Sequence, residues 1–126
     1  MAEILCRMRV NVWASDRPEV SWIGVTRRTR TRVIYTVRKA VGGRVVEREQ
    51  GIPRSWLERV NPDFKHRQPG VCEIYWCQSD TEPITGGVGY NMALISVLDR
   101  IDRDMQDAAI RVRGMQEALY AEAVVD

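Results

Sequence analysis

The sequence predicts an α+β fold: an N-terminal antiparallel sheet with a short helix, followed by a long C-terminal helix that mediates oligomerisation. Three observations carry this. Segments that alternate apolar and polar residues, separated by turn signals, occupy most of residues 1–80. Gly42-Gly43 marks a tight hairpin, because both positions take positive φ without strain. From about residue 90 to 124 the apolar period changes to that of a helix. Strands first and a helix last, within 126 residues, describe one domain spanning 1–126.

The elements follow in order. Ile4, Cys6, Met8, Val10 and Val12 alternate with Leu5, Arg7, Arg9, Asn11 and Trp13, giving a first strand with one apolar face. Asp16-Arg17-Pro18 reads as a turn. Val20 to Val25 form a second strand carrying Trp22, and Val33 to Val41 a third. Arg44 to Glu49 return after the glycine pair, which sets Arg38 opposite Glu47. Ile52-Pro53 opens a short helix, with proline where its missing N–H does no harm. Trp56, Leu57 and Val60 pin that helix to the sheet, and Asn61-Pro62 ends it. Residues 63–70 are a polar loop, Val71 to Gln78 a further strand containing Trp76, and Thr81 to Gly89 a turn.

The last third repeats apolar residues at alternating steps of four and three: Leu94, Leu98, Ile101, Met105, Ala108, Val112, Met115 and Leu119. Asp99 and Arg103, and Asp107 and Arg111, stand four apart with the acid first, as on a solvated flank. A helix over 91–124 is about 50 Å long. A chain of this size folds to a radius of gyration of about 14 Å. The domain cannot cover such a helix, so the seam is expected to pack on a second copy. The seam keeps its phase past Gly114, which predicts a continuous or kinked helix.

An apolar fraction of 44% excludes a disordered chain. No apolar run is long enough to span a bilayer, and the first residues lack the pattern of a signal peptide, so the expected location is cytoplasmic. Cys72 and Cys77 are an odd number of residues apart on one strand and point to opposite faces, a poor pair for a disulfide or a metal. Cys6 falls on an apolar face; all three read as buried, reduced thiols. The net charge of +2 hides a split, with fifteen Lys and Arg against seven Asp and Glu in residues 1–70, and four against ten in residues 71–126. Anion-binding capacity therefore sits in the N-terminal half.

The residues do not point to catalysis. The one histidine, His66, sits in a loop with no nucleophile or acid at a recognisable spacing, so it reads as a solvated loop residue. No metal-ligand spacing is present and no cofactor is expected. Two features suit an anion. If residues 27–39 are extended, Arg28, Arg30, Arg32 and Arg38 share one face, a row of forks suited to phosphate or, equally, to a solubilising edge. Thr85-Gly86-Gly87-Val88-Gly89-Tyr90-Asn91 leads into the long helix, where glycines admit a close ligand, free N–H groups attract phosphate, and Asn91 can cap the helix or bind a base. This is not the Walker or Rossmann spacing, and a plain turn explains it equally. Trp22, Trp56 and Trp76 read as core residues.

With Gly86-Gly87-Val88-Gly89-Tyr90-Asn91 leading into the helix, and a basic strand around Arg28, the layout resembles the phage-encoded anti-Thoeris sponges of the first described type. The resemblance covers most of the chain in size and element order. It implies a non-catalytic protein that sequesters cyclic ADP-ribose signals, and in some members cyclic trinucleotides, in the cytoplasm of a host cell. It implies assembly as a homodimer or as a hexamer built from dimers. It implies Asn91 as a ligand contact and Arg28 as an interface contact. Together with the anion features, the expected ligand-binding set is Arg28, Arg30, Gly86, Gly87, Gly89 and Asn91, and the expected interface is Leu94, Leu98, Ile101, Met105, Val112, Met115 and Leu119. The competing readings are a nucleic-acid-binding or inhibitor protein using the basic strand, and a coiled-coil adaptor. A pI of 8.6 and an acidic helix weigh against DNA.

Overall fold

The computed structural model describes residues 2–63 and 68–124. His66 lies outside the described residues. Five strands, β1 (Glu3–Asn11), β2 (Glu19–Arg28), β3 (Arg32–Val41), β4 (Arg44–Pro53) and β5 (Val71–Ser79), form one antiparallel sheet in the order β4-β3-β2-β1-β5. One helix, α1 (Val88–Val124), follows. The α+β class, with sheet first and helix last, is as the sequence indicates. The glycine hairpin is in place, with φ of 57° at Gly42 and 77° at Gly43. Arg38 and Glu47 are cross-strand partners joined by a 3.2 Å ion pair.

The sheet is curled. The chain leaves β4 at Pro53 and already pairs with the outer edge of β5 at Leu57, through a parallel bridge to Tyr75. In a flat sheet β4 and β5 would lie about 19 Å apart, at four strand spacings. The four residue steps from Pro53 to Leu57 reach at most about 14 Å. Closing that gap requires curvature, and a register shift between Val25 and Arg27 supplies one bend. On the concave side Leu5, Val33 and Ile52 pack with Trp56 and Leu57. On the convex side Ile4, Cys6, Met8, Val10, Cys72, Ile74 and Trp76 pack against Ala93, Val97 and Ile101 of α1. Cys72 and Cys77 fall in opposite clusters, as their spacing requires.

The short helix is only one 3-10 turn, Arg54–Trp56. Leu57 is extended and Glu58 takes positive φ, which ends the helix before Asn61-Pro62 is reached. Residues 57–61 instead seal the open edge of β5: the Glu58 N–H donates to the Tyr75 carbonyl at 2.7 Å and the Asn61 N–H to the Glu73 carbonyl at 2.8 Å. The buried Asn61 side chain accepts from the Glu73 N–H at 2.8 Å. The opposite edge, β4, is left open and carries alternating charges, a device against edge pairing.

Two parts reach beyond this centre. The backbone pairing of β2 with β3 ends at Tyr35, side-chain bonds from Thr26 to Thr36 and from Arg27 to Glu49 hold the next step, and beyond them residues 38–48 of the β3–β4 ribbon are exposed. The 37-residue helix is about 55 Å long, and every residue from 109 to 123 is exposed. It runs unbroken through Gly114 and begins at Val88, three residues before Asn91. No helix among the described residues is long and apolar enough to cross a membrane.

Candidate functional site

The arginine row does not exist as a strand face. Residues 27–39 are not continuously extended, because β2 ends at Arg28, residues 29–31 turn, and β3 starts at Arg32. The turn is held by Thr29, whose hydroxyl accepts from the Arg32 N–H at 3.0 Å. Arg28 pairs with Val33 and points to the concave side, where two 2.6 Å bonds tie it to Glu3. Arg32 and Arg38 fall on the other face, where Arg32 donates to the Gly51 carbonyl at 2.6 Å. Arg30 stands exposed in the turn with no ion pair among the described residues. The carboxylates of Glu3 and Glu47 take up two of the four arginines of that row, Arg28 and Arg38.

The glycine segment has packing reasons for two of its glycines. A Cβ on Gly87 would lie 2.2 Å from the Pro83 carbonyl oxygen, and one on Gly89 2.6 Å from the Trp76 ring. Gly86 takes φ 80° with open space around it. Asn91 is not the cap, since it lies inside the first turn of α1 and donates weakly back to the Gly86 carbonyl at 3.4 Å. Gly89 rests on the convex face and Arg28 on the concave one, so the curvature of the sheet separates two groups the sequence invited into one site.

The seam also divides. Ala93, Val97 and Ile101 are the residues α1 buries on its own sheet, with Leu94 and Met105 packed beside them. Leu94, Ile101 and Met105 are thus occupied within the chain, and Ala93 and Val97 do the work the heptad gave to Leu98, which is 47% exposed. A helix on a twisted sheet follows the 3.6-residue stripe and not the 3.5-residue seam. Each of Leu94, Val97 and Ile101 has an apolar counterpart about five turns further on, at Val112, Met115 and Leu119, where the sheet has ended. Those three are 54%, 71% and 68% exposed.

Trp22 corrects a further expectation. It pairs with Cys6 and so faces the helix side, but α1 lies over β5 and β1 and leaves it 58% exposed. Trp76 is buried, its N–H donating to Gln78 at 2.9 Å, and Trp56 is half-buried.

The concave face holds what the sequence reading missed. A hollow of about 210 Å³ is lined by Leu5, Arg7, Ser21, Ile23, Tyr35 and Tyr75, with Trp22 at its margin. A second, of about 300 Å³, shares Arg7 and Ser21 and adds Arg9 and Glu19. Glu73 fixes Arg7 through its Nε at 3.2 Å and Nη2 at 2.6 Å. That bond, opposed by desolvation, holds the guanidinium above its ordinary pKa. Tyr75 stacks at a tilt on Trp56, ring centres 6.0 Å apart, and burial, then the Glu73 charge, raise its hydroxyl pKa. The signal in the sequence was the polar half of β1, Arg7 and Arg9 opposite an apolar stripe, which reads as an ordinary solvated face until the curl turns it inward.

Models of known protein families, curated proteins and solved structures yield no match to this chain. Among the described residues no group of three or more His, Cys, Asp or Glu is placed to hold a metal ion.

Proposed function

We propose that this protein is a non-catalytic binding protein that works as an assembly of its own copies and sequesters cyclic nucleotide signals, cyclic ADP-ribose isomers foremost and cyclic trinucleotides second. The observation that carries the assembly is the apolar stripe of Val112, Met115 and Leu119, which continues the buried face of α1 into solvent. Exposed contiguous apolar surface of this kind marks an interface. A second copy is the fitting occupant. The distal segment carries Arg111 and Arg113 at one end and Glu117 and Glu122 at the other, so two antiparallel copies set opposite charges side by side. The ligand part rests on the resemblance in layout, with the excess of arginine in the N-terminal half in its favour. The protein acts as a homodimer or a trimer of dimers in the cytoplasm of the cell that makes the signal.

Light scattering is expected to give a mass of at least two chains, and Met115→Glu with Leu119→Glu to give a folded monomer, because charge in an apolar interface is costly. A monomeric parent protein at micromolar concentration refutes the assembly. After incubation with cyclic ADP-ribose isomers, boiled protein should release the ligand chemically intact. Recovery of a linear product refutes sequestration. No binding of any cyclic nucleotide, with binding of oligonucleotide, moves the function to nucleic acid.

A further inference from the structure

We propose that the concave face of the curled sheet is a nucleotide site, with the ring of the base against Tyr35 and Tyr75 and the phosphates along Arg7 and Arg9. This rests on the sequestration reading and names the surface that carries it out. The two hollows adjoin at Arg7 and Ser21, which line both, and the trough they make along this face has about 300 Å³ at its arginine end, the lower end of the size range of small-molecule sites. One end has an apolar floor of Leu5 and Ile23 beneath two half-buried tyrosines. Such rings offer π-faces that accept any base. The Ser21 hydroxyl can donate or accept at the centre. The other end carries Arg7 and Arg9. Glu73 occupies Nε and Nη2 of Arg7 and so orients the guanidinium while leaving Nη1 for a ligand. Arg9, two residues on and facing the same way, has no ion pair among the described residues.

The charge on this face sets the ligand class. Glu19 stands opposite Arg9, and Glu73 opposite it on the other side. Two carboxylates beside two arginines leave no net positive charge, which disfavours a long polyanion and leaves a phosphate to be held by directed guanidinium hydrogen bonds. A mononucleotide or dinucleotide fits; a nucleic-acid strand does not.

Calorimetry with ADP-ribose, a cyclic ADP-ribose isomer and adenosine 5′-monophosphate, and a dodecameric oligouridylate as competitor, tests this on the whole chain. Ser21 is exposed, so Ser21→Trp fills the trough without disturbing the core. Ser21→Trp, Tyr35→Ala and Arg9→Ala are each expected to weaken ADP-ribose at least tenfold. Glu19→Gln is expected to tighten it severalfold, which a merely structural role would not do. Arg38→Ala, on the other face, should leave affinity unchanged. Melting curves of all variants identify any that fail to fold. If the parent protein binds ADP-ribose and Ser21→Trp binds it equally, the trough is not the site, and the sequestration reading survives elsewhere on the surface. If no linear or cyclic nucleotide binds the parent protein, both fall. If the oligouridylate binds more tightly than ADP-ribose and displaces it, the small-nucleotide assignment is overturned.

Discussion

At the scale of single residues, burial in this small sheet is expressed through its thiols. Burial, and then the neighbouring Cys77 thiol, push Cys6 from 9.0 up to about 11. Burial raises Cys72 and Cys77 as well. In the folded protein these groups keep their protons at a pH where the unfolded chain has released them. The unfolded state then binds fewer protons, so stability falls as pH rises. The contribution of Cys6 is intact below pH 9 and is lost progressively towards about 11, and Cys72 and Cys77 act in the same direction. Thermal melts at pH 8 and pH 10.5 should show a drop in Tm, and Cys6→Ala should make that drop smaller. A drop of the same size in Cys6→Ala would assign it to other groups. The burial of Cys6 was legible from its place in an alternating strand. The exposure of Trp22 on the same face was not, because alternation tells which side a residue takes and not how far a helix reaches over that side.

At the scale of elements, local patterns with a covalent or steric cause carried over and long-range placements did not. Gly42-Gly43 fixed the hairpin register through its positive φ, and Arg38 met Glu47 as a consequence. The arginine row failed because Thr29 closes a turn that the basic spacing conceals. The glycine segment was read for a ligand, yet Gly87 is required by the Pro83 carbonyl within the same turn, and Gly89 by Trp76, a contact that exists only once the sheet and helix have packed. Gly114 is the opposite case. It sits within a continuous helix, and a Cβ there would meet nothing. Interior glycine costs a helix about 1 kcal/mol relative to alanine. Gly114→Ala is therefore expected to stabilise the protein by up to about 1 kcal/mol in chemical denaturation. Destabilisation would mean that a close neighbour, such as a second copy of the chain, already occupies the space beside that position.

At the scale of the molecule, a compact centre holds two unsupported projections, the β3–β4 ribbon and the distal half of α1. β1 and β5 give one face to α1, and from the other face Leu5, Tyr75 and Cys77 join the concave cluster. Among the described residues, none from 109 to 123 is buried. Isolated helices shorter than about 12–15 residues are marginal in water. A distal segment of this length, tethered at one end and carrying one glycine, should fray when the chain is alone and hold when copies associate. Hydrogen exchange resolves the two states without any mutation. At high protein concentration the amides of residues 112–122 are expected to exchange at least tenfold more slowly than at a concentration where light scattering finds single chains. Amides near Val97, buried on the sheet of the same chain, should exchange slowly at both concentrations. Distal amides that exchange fast at every concentration would show that the stripe never meets a partner. Slow exchange that persists in single chains would show that the helix stands without one.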